Sequence, residues 1–390
     1  MSRGESRAGE RPNEDPDGDG GKTSRDPGRP GPILDRSVPP GPPLVVWGAG
    51  AMGGSIGASL VRTGKSVLFV DVAGDHVEAM NGRGLRITGP VEDFLIQVEA
   101  TRPEALQGRF PLVFLCVKAH HTRGAASQIE PHLAEQGAVV SIQNGLCERD
   151  IAQVVGAART VGAFVNFGAD YLEPGVIHRG NRGAVVVGEL NGEETRRVRQ
   201  IHDVLKLFEP SAVLTDNIFG YLWGKLSYAA LLFATALTNA PIADVLAASE
   251  HRPLLRALAR EVIAVAQARG IEPESFDGFN PRAFRPQGYP EDADRSLDDL
   301  VVFNRASAKT HSGIWRDLAV RKRPTEVDAQ LGAVVEIARE EGMAVPLIER
   351  LVVQIHEIER GERKLAMENL DELAEGLGRD GPSPPENEGS

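Results

Sequence analysis

The patterned part of the chain opens on a short apolar run, Leu44-Val45-Val46-Trp47, that breaks at a glycine-rich turn, Gly48-Ala49-Gly50-Ala51-Met52-Gly53. Small residues at helical spacing follow, Gly54-Ser55-Ile56-Gly57-Ala58-Ser59-Leu60. A second strand-like run, Ser66-Val67-Leu68-Phe69-Val70, then closes on Asp71. Two further apolar runs, residues 111–118 and 137–145, read as strands buried on both faces, with a helix predicted between them over 123–136. Alternation of this kind predicts a parallel sheet covered by helices on both sides. Val176-Ile177-His178 and Ala184-Val185-Val186-Val187-Gly188 read as short paired strands extending that sheet.

Beyond about Pro210 the period changes and strand signals vanish. Asp216 is a candidate cap for a long helix through Leu222, Lys225, Leu226, Leu231 and Leu237. Leu254, Leu255, Leu258, Val262, Ile263 and Ala266 form one helical stripe that stops at Gly270; Leu331, Val334, Val335 and Ala338 form another before Gly342. Pro346 opens a last helix carrying Leu351, Ile355 and Ile358. Residues 275–290 are rich in Pro, Gly, Phe and Asp without periodicity, and read as a surface excursion able to cover a cleft. The expected fold class is α/β, an N-terminal Rossmann-type doubly wound sheet plus a C-terminal all-α domain. The expected division is a disordered leader over 1–43, a dinucleotide-binding domain over 44–208, a helical substrate and catalytic domain over 209–375 and a disordered tail over 376–390.

Composition supports that division. Residues 1–43 hold 8 Gly and 9 Pro with few apolar side chains, too few to build a core. With 390 residues there is length for two ordinary domains, and a net charge of −12 without a basic stripe argues against nucleic acid or an anionic membrane as partner. No apolar stretch reaches the length of a membrane span, and the N-terminus lacks the apolar core of a secretory signal. The two cysteines, Cys116 and Cys147, lie at strand-like positions and read as packed thiols in a reducing cytosol. A cytoplasmic location is therefore expected.

Strand, glycine turn, helix, strand and acid, in that order, form the dinucleotide-binding fingerprint in its proper context. Gly48 allows the tight turn, Gly50 lets the backbone approach a pyrophosphate, and Gly53 lets helix pack on strand. With Ala51 and Met52 at the helix N-terminus, this turn offers unpaired N–H donors and a positive dipole end to phosphates. Asp71 can accept hydrogen bonds from a ribose diol and repel a 2′-phosphate, which favours NAD(H) over NADP(H).

Ligands of an open α/β sheet lie outside the carboxyl ends of its strands, which selects Lys118 and Asn144; the alternative is that both merely cap strand ends. Lys225 sits in an apolar helix, either snorkelling to solvent or held in a cleft with a depressed pKa, ready to give a proton. In Arg321-Lys322-Arg323-Pro324-Thr325-Glu326-Val327-Asp328, Thr325 is a plausible helix cap and Glu326 either a solvated first-turn acid or a functional carboxylate. His120 and His121 are adjacent rather than spaced as metal ligands, and no cysteine or histidine cluster supports zinc, so no metal is expected.

These clusters, in this order, resemble the ketopantoate reductase (2-dehydropantoate 2-reductase) family. The matching stretches are the glycine turn, Val117-Lys118-Ala119, Gln143-Asn144-Gly145, Leu222-Trp223-Gly224-Lys225-Leu226 and Arg323-Pro324-Thr325-Glu326-Val327-Asp328, spanning about residues 44–365. The resemblance implies a cleft between a Rossmann domain and a helical domain. It implies Lys225 as the general acid for reduction of a ketone by hydride, and Glu326 as the group that holds a substrate hydroxyl and orients Lys225. Asn144 would bridge substrate and nicotinamide ribose, with Lys118 near the cofactor. The implied reaction is reduction of a small 2-oxo acid, by default ketopantoate to pantoate in pantothenate biosynthesis, with NADP(H) the cofactor of the family.

Three positions depart from the family pattern. Val70-Asp71-Val72 stands where a basic residue usually meets the 2′-phosphate. Ala229 and Phe233 replace two substrate-binding asparagines. Gly313 replaces a serine that helps hold the substrate carboxylate, with Ser312 one position earlier and His311 and Arg316 as other candidates to compensate. The alternatives are an NAD(H)-dependent dehydrogenase of the same fold acting on a more apolar 2-oxo or hydroxy acid and, in another class, a non-catalytic NAD(H)-binding sensor. A homodimer stands as an open alternative to a monomer.

Overall fold

A computed structural model describes residues 41–306 and 310–378; the rest of the expected leader and the tail from 379 onward lie outside the described residues. Among the described residues, twelve strands form two sheets. They are β1 (Leu44–Trp47), β2 (Val67–Val70), β3 (Leu85–Thr88), β4 (Phe94–Ile96), β5 (Glu99–Thr101), β6 (Phe110–Leu115), β7 (Leu133–Ser141), β8 (Thr160–Val165), β9 (Ala169–Glu173), β10 (Val176–Arg179), β11 (Val185–Glu189) and β12 (Val213–Leu214). The larger sheet runs β12-β11-β8-β7-β6-β1-β2-β5, and the smaller β4-β3-β10-β9. From β8 through β5 every neighbour is parallel, whereas β11 runs antiparallel to β8. Chain order reverses between β1 and β6. That switch point opens a crevice at the carboxyl ends of the two strands, where open α/β sheets bind ligands.

The first helix, α1 (Ala51–Arg62), lies between the two sheets, which explains its run of small residues. A Cβ added to Gly57 would fall 2.4 Å from the Phe69 ring on β2, and one added to Gly54 would fall 2.1 Å from Ile177 Cδ1 on β10. At Gly53 it would fall 2.1 Å from the Gly48 carbonyl oxygen, a backbone atom that cannot turn aside. Gly53→Ala is therefore expected to cost about 1–3 kcal/mol or more, read as a lowered midpoint in chemical denaturation; an unchanged midpoint would contradict this packing.

The remaining helices are α2 (Gly74–Arg83), α3 (Thr122–Ile129), α4 (Glu148–Val155), α5 (Arg196–Lys206), α6 (Ile218–Thr235), α7 (Ile242–Ala247), α8 (Arg252–Ala268), α9 (Pro290–Arg305), α10 (Gly313–Trp315), α11 (Ala333–Glu340), α12 (Pro346–Glu359) and α13 (Glu368–Ala374). Among the described residues, the named elements after β12 are all helices. Their centre is α6, apolar nearly all round, with Leu226, Ala230, Leu231 and Phe233 packed among Leu258, Val262, Leu351 and Ile355. A helix hydrophobic on every side belongs in a core.

Several local expectations are corrected. The helix predicted over 123–136 stops at Ile129, because Pro131 has no N–H to continue it, and Leu133 already begins β7. Val176-Ile177-His178 does not pair with 184–188. Pro174 and Gly175, the latter at φ +78, turn the chain so that β10 pairs with β9 and joins the smaller sheet, while β11 joins the larger. β12 lies beyond Pro210. Asn217, not Asp216, caps α6, its side chain accepting from Gly220 N at 3.0 Å. Cys147 precedes α4 and is not in a strand; both cysteines are free. Residues 275–290 are not a surface excursion, since Phe276, Phe279 and Phe284 are buried in the helical core.

Candidate active site

The glycine turn lies directly over the crevice. Gly48 sits at φ +96, and a Cβ there would fall 2.8 Å from Val117 N, so the turn and the end of β6 close on each other. Gly50 has nothing within 4 Å of its missing Cβ, and no side chain caps α1. Open space beside uncapped helix N–H groups is what a pyrophosphate requires. Asp71 stands at the same edge, its two carboxylate oxygens accepting from Ala49 N at 2.8 Å and Ala73 N at 2.9 Å. The residues present thus fit a dinucleotide.

From this edge a cleft of about 610 Å³ runs down to α6. It brings together Gly48, Gly50, Ala51, Met52, Asp71, Lys118, Asn144, Lys225, Ser312 and Glu326; of the predicted site residues only Gly53 is not on its wall. Gly53 is packed beneath, between Gly48 and Val46.

At the base a chain of hydrogen bonds crosses from sheet to helices. Lys225 Nζ donates to Val165 O at 2.5 Å and to Asn144 Oδ1 at 2.8 Å. Asn144 Nδ2 donates in turn to Glu326 Oε2 at 3.3 Å, and Ala119 N donates to Glu326 Oε1 at 2.9 Å. Glu326 therefore reaches Lys225 through Asn144 and not by direct contact. Phe164 lies beneath the ammonium, with its ring centroid 5.3 Å from Nζ. Burial pushes Lys225 down to about 8, while the Glu326 and Asp277 carboxylates pull it the other way. Proton donors poised near neutral pH arise in this manner.

Glu326 is held by an unusual stretch of backbone. Two π-helical segments, Arg316–Arg321 and Asp328–Gly332, bracket it, with Lys322 in the left-handed region at φ +50. Such turns recur at functional sites. Thr325 Oγ1 accepts from Val327 N at 3.2 Å and donates to Glu359 Oε1 at 2.7 Å, which ties this turn to α12; the helical segment that follows begins at Asp328 with Val327 in the cap position and no side-chain cap, so Thr325 is not the cap expected.

Lys118 turns away from the Asn144 chain and donates to Asp317 Oδ2 at 2.9 Å. Asp317 also takes Arg321 at 3.1 Å and Arg323 at 2.9 Å. Burial alone would raise its pKa, but hydrogen bonds from Lys118, Arg323 and Arg321 hold the carboxyl below its ordinary range. Three cations on one anion make this part of the wall locally positive, a seat for an acidic group, while Asp71, Asp170 and Glu326 offset it over the cleft as a whole. Nothing in the sequence tells what Arg321 and Arg323 face; the fold does.

Ala229 borders the cleft. Phe233 does not; it is fully buried in the core, and Leu232 takes the cleft wall instead. At 3.6 residues per turn, the seventh residue after Lys225 returns to within about 20° of its direction and the eighth overshoots by about 80°. Gly313 faces open space. Ser312 is buried and its Oγ accepts from Trp315 N at 3.1 Å, capping α10. Arg316 is paired with Asp170, and His311 faces the Asn239 carbonyl, so both are engaged elsewhere. Asn166 and Asp277 were missed altogether.

A glycine turn at a sheet switch point, facing a lysine and a carboxylate from a helical partner, is the architecture of an NAD(P)-dependent oxidoreductase with two-part Rossmann and helical construction. The chain belongs to the ketopantoate reductase family. Residues 44–192 match the family model for ketopantoate reductase PanE/ApbA, and residues 217–359 match its C-terminal counterpart. A 2-dehydropantoate 2-reductase of Mesorhizobium japonicum is 27% identical over 345 residues, covering 82% of this chain and 98% of the relative. That of Pyrococcus abyssi is 26% identical over 315 residues, covering 78% and 93%. Among solved structures, the 2-dehydropantoate 2-reductase of Geobacter metallireducens superposes with a TM-score of 0.69 at 26% identity, covering 80% of this chain and 99% of that one. A D-mandelate dehydrogenase solved with NADH and anilino(oxo)acetate gives 0.72 at 20% identity, covering 82% and 99%, and shares the fold.

Proposed function

We propose that this protein reduces a small 2-oxo acid to the 2-hydroxy acid with NADH, residues 44–208 holding the cofactor and 209–375 supplying the proton. The observation that carries this reading is the Lys225–Asn144–Glu326 chain at the base of the cleft under the glycine turn. When bound, the nicotinamide supplies hydride. Of the three N–H groups on Lys225, two are committed to Val165 O and Asn144 Oδ1, which leaves one for the substrate ketone oxygen. Lys225 offsets the negative charge that develops on that oxygen and then protonates it. The carboxylate of Glu326 fixes the Asn144 amide so that its oxygen faces Lys225. By family membership the substrate is ketopantoate.

Asp71 and the 69%-exposed Val72 support NADH, since neither offers a cation to a 2′-phosphate. NADH is expected to exceed NADPH in kcat/KM by about 10- to 100-fold, and Asp71→Asn to narrow that ratio, although its NH₂ must face one of the two backbone N–H groups, of Ala49 or Ala73, that the carboxylate now accepts from. Equal use of the two cofactors would overturn this part of the proposal. A second reading is favoured by Ala229 and Leu232, which put apolar surface opposite the chemistry: a bulkier, more apolar 2-oxo acid. Comparing ketopantoate with 4-methyl-2-oxopentanoate decides between them. A kcat/KM for ketopantoate above about 10⁴ M⁻¹s⁻¹, within the normal enzyme range, removes the second reading.

A further inference from the structure

On the wall opposite Ala229 and Leu232, Asn166 follows β8 directly after Val165, the residue whose carbonyl holds Lys225. Its amide is clamped. Asn166 Nδ2 donates to Asp277 Oδ2 at 2.7 Å, and Ala184 N donates to the same oxygen at 3.1 Å. A carboxylate can only accept, so the NH₂ group must face Asp277 and Oδ1 must face the other way. Among the described residues no donor occupies that oxygen.

The clamp is built. Asp277 and Gly278 have φ of +44 and +81, and Phe276 and Phe279 exchange backbone hydrogen bonds across them at 3.1 and 2.7 Å. This is the two-residue turn with both central residues left-handed, which Asp-Gly favours. Phe276 packs on Phe164 with centroids 4.7 Å apart, and Phe279 packs on Tyr228 and Phe284 at 5.5 Å each. The buried aromatics on either side of the turn hold Asp277 in place against Asn166.

We infer that Asn166, oriented by Asp277, is a specificity-determining residue: its Oδ1 accepts a hydrogen bond from a hydroxyl on the side chain of the substrate. This rests on the proposed reduction of a 2-oxo acid. It supplies, from the sheet side, the polar contact that Ala229 and Leu232 do not make from α6. Asp277 acts through Asn166 and is a positioning residue.

The test pairs ketopantoate with 3,3-dimethyl-2-oxobutanoate, the same skeleton without the hydroxyl. Turnover with NADH and binding to the NAD⁺ complex are both measured, in the wild type, Asn166→Leu and Asp277→Gly. The wild type is expected to favour the hydroxylated acid, and Asn166→Leu to reduce that preference about 10- to 100-fold with little effect on the deoxy acid. Asp277→Gly keeps the turn, since Gly-Gly also suits it; it removes the oxygen that holds Asn166 Nδ2, frees the Asn166 amide to rotate and narrows the preference part of the way. It therefore carries the test if the leucine variant fails to fold. A wild type indifferent to the hydroxyl, or a leucine variant with its preference intact, overturns the inference. So does a variant that loses NADH affinity alone, which would assign the oxygen to the nicotinamide carboxamide. Discrimination in binding without turnover upholds Asn166 and sinks the reductase reading; turnover with unchanged discrimination does the reverse.

Discussion

Lys225→Ala is expected to lower kcat/KM for 2-oxo acid reduction by about 10³- to 10⁴-fold, the upper part of the range for loss of a positioned general acid that also carries charge. NADH affinity should stay unchanged, because Lys225 lies at the α6 end of the cleft and the glycine turn lies at the β1 end. The substitution leaves Val165 O and Asn144 Oδ1 without their donor. Water can serve both, since the residue is only partly buried, so stability should change little. Steady-state kinetics and an NADH fluorescence titration separate the two effects. An unaltered rate would remove Lys225 from the chemistry, and no turnover in the wild type itself would favour the sensor reading.

The fold was legible where one kind of signal decided it. Val45, Val46, Phe114 and Val140 lie in strands buried on both faces, and such strands read as unbroken apolar runs. β3 and β9 do not stand out because their half-exposed faces mix Arg86, Thr88 and Glu173 with apolar residues, and β4 does not because it is apolar over only three residues, Phe94–Ile96. The buried aromatics of 275–290 escaped for the opposite reason: burial there comes from tertiary packing of a non-periodic segment. At the site, Lys225 and Glu326 were visible as motifs. Their coupling was not, because Asn144 links them across 182 and 81 residues of chain. Asn166 had no motif at all; only the Asp277 turn, 111 residues away, marks it.

Glu326→Gln is expected to lower kcat/KM about 10²-fold, by way of hydrogen-bond polarity. Both oxygens of Glu326 accept, one from Ala119 N and one from Asn144 Nδ2. A glutamine must set its NH₂ against one of these donors. If it faces Asn144, that amide turns over and presents its own NH₂ to Lys225, where an oxygen had been, and the ammonium loses its seat. The pH profile gives a second readout. Lys225 must be protonated to act as the acid, and it titrates at about 8. In the wild type kcat/KM should therefore be level below that pH and fall about tenfold per unit above it. The Glu326 carboxylate pulls the Lys225 pKa upward, so the glutamine variant should lose activity at lower pH than the wild type. Glu326→Asp keeps the charge but shortens the reach, so its rate should fall while the limb stays near its wild-type position. Charge and geometry are thus read separately. A glutamine variant with wild-type rate and an unmoved limb would mean that Glu326 neither orients Asn144 nor holds the proton on Lys225.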